Sequence, residues 1–354
     1  MQKKSLLRKK LSELKIDAIL ITDLTNVRYI SGFTGSSGFF IITKTESVFV
    51  TDFRYQEQAQ QEVRGCIIRI SRRERTREIQ ELCKEYKIKK LGFEEDNVSY
   101  GAYRKLIGTK IRLKPLSGLV ESLRIVKTND EITNLKKAVL RAEAAFRKLQ
   151  PHIRAGATER KIALKFEELI KAEGCKLVPF GVIVASGPMS ALPHAKPTGR
   201  SIKKGDLIVF DWGGECNGYF SDMSRTVLLN GRNISRQKEV YSIVLEAQKR
   251  AINTVRSGLK TALVDAAARD YIEQQGHGDH FGHGTGHGVG LAVHERPVVS
   301  WRNKEVIKNN MVFTIEPGIY IPGFGGVRIE DMVLVRRRRA ELLTSLPRRL
   351  KIIG

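Results

Sequence analysis

Asp211, Asp222, His287, Glu316 and Glu330 are side chains of the kinds that hold hard divalent cations, and the spacing of the four carboxylates pairs them. Asp211 and Asp222 flank a Gly-rich run in DLIVFDWGGECNGYFSDMSRTVLL, with strand formers on either side. A hairpin turn centred between Cys216 and Asn217 places Asp211 directly opposite Asp222. A second hairpin, MVFTIEPGIYIPGFGGVRIEDMVLV, turns about Gly323 and places Glu316 opposite Glu330. Facing residues on neighbouring strands have Cβ atoms roughly 4.5–5.5 Å apart, and like charges so placed repel. Divalent cations between the carboxylates reconcile both pairs with a stable fold.

Five of the seven histidines lie in HGDHFGHGTGHGVGLAVHERP: His277, His280, His283, His287 and His294. Glycines alternate through this stretch and let backbone approach a ligand closely. One imidazole with four carboxylates is an oxygen-rich donor set. It suits Mn, Co or Fe better than zinc, whose structural sites prefer Cys and His. Two ions in such a set can activate water and polarise a carbonyl, which is the chemistry of amide hydrolysis.

These side chains need elements to position them, and the length of 354 residues suggests two domains. Residues 1 to about 122 alternate helix-like and strand-like segments. A basic amphipathic stretch (Leu6, Leu7, Leu11, Leu14) precedes IDAILIT, and GFFIITKTESVFVTD reads as a hairpin turning near Lys44–Glu46. FRYQEQAQQEV and REIQELCKEYKI read as helices, CIIRI and KLGFE as strands. This alternation predicts a mixed sheet with helices packed on it. Asp23, Arg28 and Asp52 sit near element ends, where capping or surface roles are expected.

The second domain opens at Thr128, where Thr128–Asn129–Asp130–Glu131 matches a capping box. The helix that follows places Ile132, Leu135, Val139, Ala142, Phe146 and Leu149 on one face. Thr158 caps a second helix reaching about Glu173. Strand patterns then carry GVIVAS, LIVFDW and YFSDMSRTVLL, and two longer helices span roughly 235–256 and 260–275. The order helix-helix-hairpin, twice over, suggests an internal two-fold repeat.

The four cysteines (Cys66, Cys83, Cys175, Cys216) show no CxxC spacing and read as reduced thiols of a cytosolic protein. The basic N-terminus has no apolar core followed by a small-residue cleavage site, so no signal peptide is expected. No run approaches the ~20 apolar residues of a membrane span. The net charge of +24 is dispersed along the chain. Its densest run, Arg336 to Arg339, falls at the turn of a terminal hairpin, without the interleaved aromatics of a single-strand-binding platform. A solvated basic surface is expected, with no specific nucleic-acid partner.

Residues 124–354 resemble the pita-bread metallopeptidases: methionine aminopeptidase, prolidase and aminopeptidase P. The resemblance rests on VASGPMSALPHAKPT, GDLIVFDWGG, GYFSDMSRT, GHGTGHGVGLAVHERP, FTIEPGIY and GVRIEDMVLV, in that order. LTNVRYISGFTGSSGFF and VFVTDFRYQEQA resemble the extra N-terminal domain of aminopeptidase P and prolidase-like proteins. Methionine aminopeptidases usually lack that domain. The resemblance therefore implies an α/β (α+β) chain with a creatinase-like mixed-sheet domain, 1–123, and a pita-bread catalytic domain, 124–354. It implies a dinuclear, manganese-preferring peptidase, a homodimer, hydrolysing Xaa-Pro bonds of proline-containing peptides. Asp211 would bind the first ion, Asp222 and Glu330 would bridge both, and His287 and Glu316 would complete the second. Glu316 would also take the proton of the attacking water. His194 and His294 would sit beside the scissile carbonyl and leaving group, His283 in the pocket wall, and Arg328 behind the carboxylates. Aminopeptidase P is the main expectation, and prolidase the alternative. A non-catalytic adaptor on the same fold is a rival of another class, set apart by whether the ligands are kept.

Overall fold

The computed structural model describes residues 2–107 and 111–354, and the chain divides into Met1–Arg124 and Ile125–Gly354. No helix among the described residues is long and apolar enough to cross a membrane.

The first unit holds one six-stranded mixed sheet. Its strands in chain order are β1 (Ala18–Ile21), β2 (Phe39–Thr43), β3 (Ser47–Thr51), β4 (Ile67–Ile70), β5 (Lys90–Glu94) and β6 (Arg112–Leu116). Their spatial order is β4-β3-β2-β1-β5-β6. β1, β2 and β3 are buried on both faces, as continuous apolar runs require. The β2–β3 hairpin turns at residues 44–46 as expected, with Ile42 facing Ser47. Leu7 and Leu11 of the first helix are fully buried, whereas Leu6 is exposed. The helices Leu24–Ser31 and Tyr100–Ile107 and the strand β6 have no counterpart in the periodicity reading.

Asp23 and Asp52 are caps: each side chain accepts from a backbone N–H two or three residues on. At the end of β5 lies a buried carboxylate, Glu94. Its Oε2 accepts from the backbone N–H of Thr22 at 2.7 Å and of Asp23 at 2.8 Å. Its Oε1 accepts from Asn26 Nδ2 at 2.7 Å.

In the second unit the capping box forms, with both the Thr128 and the Glu131 side chains satisfying N–H groups. The helix Asn129–Leu149 buries all six apolar residues expected of it. Phe146 stacks on Trp212 at 4.5 Å between ring centroids, which joins this helix to the strand that carries Asp211. After the helix Glu159–Ala172 come β7 (Lys176–Leu177), β8 (Ile183–Ser186), β9 (Leu207–Trp212), β10 (Gly214–Cys216), β11 (Tyr219–Phe220) and β12 (Met223–Leu229). The helices Ser235–Thr254 and Thr261–Gln274 follow. The chain then lays down β13 (Gly286–Gly288), β14 (Glu295–Val299), β15 (Val312–Ile315), β16 (Gly318–Ile321), β17 (Gly325–Arg328) and β18 (Asp331–Val335). Two helices and a long hairpin thus occur twice, in the order the sequence suggested.

The first hairpin corrects an expectation. Asp211 faces Ser224, not Asp222. The turn is centred one residue later than expected, between Asn217 and Gly218, because Cys216 pairs with Tyr219. Asn217 and Gly218 take φ of 53° and 85°, the two positive values of a type I′ turn, which an Asn-Gly dipeptide adopts readily. Moving the centre by one residue moves the partner by two, so the face is kept. Asp222 becomes the diagonal neighbour of Asp211. In the second hairpin Ile315 faces Asp331 and Gly318 faces Arg328. The same register carried between them sets Glu316 opposite Glu330, as expected.

The cysteines, scattered in sequence, do not all stay apart. Cys175 and Cys216 are buried with their sulfurs 2.8 Å apart, as free thiols. Arg337, Arg338 and Arg339 are exposed between β18 and the short strand Ala340–Leu342, while Arg336 is half-buried and donates to Glu341 and Asn310.

Candidate metal centre

The two hairpins and β13 bring the five predicted ligands to one place. Ligand atoms of Asp211, Asp222 and Glu330 lie within 4.8 Å of one another, and so do those of His287, Glu316 and Glu330. Asp222, His287 and His294 form a third such group. His287 Nε2 is 3.3 Å from Glu316 Oε1 and 3.6 Å from Asp222 Oδ2. Its Nδ1 is 3.1 Å from the Gly288 carbonyl. With Nδ1–H donating there, Nε2 keeps its lone pair facing the carboxylates, the arrangement of a metal-binding imidazole. Close strand packing explains the neighbouring glycines: a Cβ at Gly286 would stand 1.9 Å from the Thr314 carbonyl oxygen.

The electrostatics are hostile without a cation. Burial, and then the neighbouring Asp211 and Glu316 carboxylates, push the Asp222 carboxyl well above the usual range. Burial and Asp222 do the same to Glu330, and burial raises Glu316. Burial also lowers the His283, His287 and His294 imidazoles. Oδ1 of Asp211 and Oδ1 of Asp222 are buried and accept no hydrogen bond. Unsatisfied buried carboxylate oxygens are costly unless something binds them. Two orphaned oxygens inside a cluster of four acids and one imidazole fit a pair of hard divalent cations.

Behind this cluster the side chains are held tightly. Arg328, 3% exposed, donates from Nη2 to Asp211 Oδ2 at 2.6 Å and from Nε to Ser224 Oγ at 2.8 Å. Ser224 in turn donates to Glu330 Oε2 at 2.7 Å. Thr314 Oγ1 donates to Glu316 Oε1 at 3.0 Å and accepts from the His287 backbone N–H at 3.1 Å. One layer further back, Arg225 donates to Asp331 Oδ1 at 2.7 Å and to the Glu330 carbonyl at 2.6 Å. Gln248 donates to Asp331 Oδ2 at 2.8 Å.

Sequence reasoning missed Tyr320. Its hydroxyl accepts from Arg328 Nη1 at 3.0 Å and lies 2.9 Å from His283 Nε2. A continuous path therefore runs from Asp211 through Arg328 and Tyr320 to His283. The signal available was position: Tyr320 is four residues after Glu316 in the same hairpin. Ser224 was missed for a different reason. The misplaced turn put Asp222 where Ser224 stands.

A cleft of about 640 Å³ opens over the cluster. Its lining includes all five candidate ligands with His194, His283, His294 and Arg328. Pro179, Phe180, Pro193, Pro197 and Val298 give it an apolar wall. His294 is exposed, its ring 4.3 Å from that of His287. The cleft does not include His277 and His280, which sit together at the turn Gly278–His280 with rings 5.6 Å apart.

The chain matches known proteins over its whole length. Residues 133–337 match metallopeptidase family M24, and residues 4–126 match the creatinase/prolidase N-terminal domain. A solved Xaa-Pro dipeptidase from Bacillus anthracis is 41% identical, with a TM-score of 0.97 over 100% of this chain and 99% of that one. An X-Pro aminopeptidase from Thermotoga maritima is 38% identical, with a TM-score of 0.90 over 99% of each chain. An Xaa-Pro dipeptidase from Pyrococcus furiosus is 38% identical over 96% of this chain and 97% of its own length. With both domains matched and the acidic cleft in place, the chain belongs to metallopeptidase family M24 and is a hydrolase.

Proposed function

We propose that the chain is a dinuclear metal-dependent exopeptidase that cleaves the peptide bond before proline, an Xaa-Pro aminopeptidase in the first instance. The observation that carries this reading is the cluster of four acids and His287 with two buried, unpartnered carboxylate oxygens at the base of an apolar-walled cleft. Relatives named for Xaa-Pro peptide bonds, some dipeptidases and some aminopeptidases, support it. Asp211, Asp222, His287, Glu316 and Glu330 would hold two divalent ions, with manganese favoured by the oxygen-rich set. The ions, when bound, supply an activated water and a Lewis acid for the carbonyl.

The chain's own residues do the rest. Asp211 and Glu330 are oriented by Arg328 and Ser224. Glu316, raised by burial, is suited to accept the proton of the attacking water. His294, beside His287 and open to solvent, is placed to hydrogen-bond the developing oxyanion. His194, which also lines the cleft, would meet the substrate, and the apolar wall would accept a proline ring. His283, tied to Tyr320, forms wall and not reacting group. A soluble, cytosolic homodimer is proposed with this activity.

Exhaustive chelation is expected to abolish hydrolysis of Ala-Pro and Ala-Pro-Ala, and Mn or Co to restore it better than Mg. Turnover by protein shown to be free of metal overturns the dinuclear reading.

A further inference from the structure

The proposed reaction leaves open what becomes of the far end of the substrate. In a dipeptide Xaa-Pro the proline carries a free carboxylate. In a longer peptide that carboxylate is replaced by an amide. With two divalent ions offsetting the four acids, a free carboxylate beyond the scissile bond still loses water on entering the cleft and needs a partner of its own on the cleft wall.

Two cationic side chains of the lysine and arginine type line the cleft, Arg328 and Lys196. Arg328 is already committed. It is 3% exposed and its donors are used by Asp211, Ser224, Tyr320 and the Pro193 carbonyl. Lys196 is exposed and makes no ion pair or hydrogen bond with the described residues. Its position is fixed by its neighbours. Ala195 is buried at 6%, while His194 and Lys196 on either side of it are exposed and both line the cleft. The segment is pinned at Pro193 by Arg328 and at Thr198 by Glu159 Oε2, which accepts from the Thr198 backbone N–H at 3.0 Å and its hydroxyl at 2.6 Å. The backbone is therefore held while the ammonium stays available on a flexible stem.

We propose that Lys196 is a specificity-determining residue that pairs with the free carboxylate of a substrate's proline, so that the cleft selects Xaa-Pro dipeptides over peptides that continue beyond proline. This rests on the Xaa-Pro reading and, within it, replaces the aminopeptidase with the alternative, the dipeptidase. Lys196 does not touch the reacting bond. Its interaction is the same in bound substrate and transition state, so its loss raises KM and leaves kcat nearly in place.

The test compares Ala-Pro with Ala-Pro-amide, which differ in that one charge, and with Ala-Pro-Ala. The Mn-loaded wild type is expected to favour Ala-Pro over Ala-Pro-amide in kcat/KM. In Lys196→Ala that ratio falls by about 10- to 100-fold, the range of one charge-assisted contact, and the fall is in KM. Lys196→Glu inverts the preference, and Lys196→Arg retains most of it. As a binding readout, calorimetry is expected to show proline binding wild type more tightly than prolinamide does, a difference lost in Lys196→Ala. A wild-type ratio near one, or equal losses on both substrates in Lys196→Ala, overturns the assignment and leaves the Xaa-Pro reading standing. A Mn-loaded wild type inert on all three substrates overturns that reading and the assignment with it.

Discussion

Glu94 in the first unit and Asp222 in the second are both acids buried at the end of a strand, and burial raises the pKa of both. Their surroundings differ. Glu94 is met by donors: two backbone N–H groups and the Asn26 amide reach its two oxygens. Asp222 is met by acids, and one of its oxygens is met by nothing. A buried acid surrounded by donors is explained by the fold. A buried acid surrounded by acids is left unexplained by the fold alone and marks a place for a cation. Burial by itself does not tell a structural carboxylate from a functional one; what meets its oxygens does.

The contrast can be broken most directly at Asp222. Asp222→Asn is expected to lose at least one metal ion per chain and nearly all activity, a loss beyond the roughly 10–100-fold of an outer-shell change. The metal-free variant should melt higher than the metal-free wild type, because an acid whose charged form is disfavoured by burial and neighbouring carboxylates is replaced by a neutral amide. Metal analysis and melting curves with and without chelator read both. A variant that keeps two ions and full turnover would remove Asp222 from the centre.

His294→Ala sharpens the boundary of the site. It is expected to keep its metal and lose ~10²–10³ in kcat, the size of one oxyanion donor. Loss of metal in this variant would make His294 a ligand, as its grouping with Asp222 and His287 permits.

Glu94→Ala tests the other side of the comparison. It strands the buried N–H of Thr22 and should cost about 1–3 kcal/mol of stability, with turnover per folded molecule preserved. Because burial raises the Glu94 pKa from 4.5, its stabilising contribution is full below about pH 4.5 and is lost as pH climbs through its folded value. The deficit of the variant, measured by denaturant titration, should therefore shrink as pH rises from about 4.5 through the folded value.

The smallest effect concerns the net charge. Nucleic acid should bind no tighter than roughly 10⁻⁴–10⁻⁶ M at physiological salt, with a slope of about −0.9 per neutralised phosphate and no effect on peptidase rate. Nanomolar, sequence-dependent binding would favour the adaptor rival.

Much of this was legible in the sequence because ligands and register are written locally. The capping box at Thr128, the apolar stripe to Leu149 and the hairpin about Gly323 needed only spacing, and the structure keeps all three. The turn at Asn217–Gly218 was legible and misread: the Asn-Gly dipeptide outweighs the two glycines before it, since both central residues need positive φ. Tyr320 and Lys196 were not legible. What singles them out is company: an arginine reaching across the hairpin in one case, a buried alanine beside it in the other. The first contact needs the register of the hairpin, and the second needs a cleft whose other walls come from strands far apart in sequence.

The register of the first hairpin has a consequence for how such chains can change length. Asp211, Asp222 and Ser224 point to one face because an even number of positions separates each residue from the partner of the next. Residues added between Cys216 and Tyr219 lengthen only the turn, where Asn217 is exposed and Gly218 buried, and leave that parity intact. A single residue inserted between Asp211 and Trp212 turns Asp211 away from Asp222 and Glu330. Insertions and deletions should thus be tolerated at Asn217–Gly218 and at Gly323, and rejected one residue at a time between the carboxylates and their strands. A fluorophore or affinity tag grafted at the exposed Gly323 turn can report on the centre without entering it.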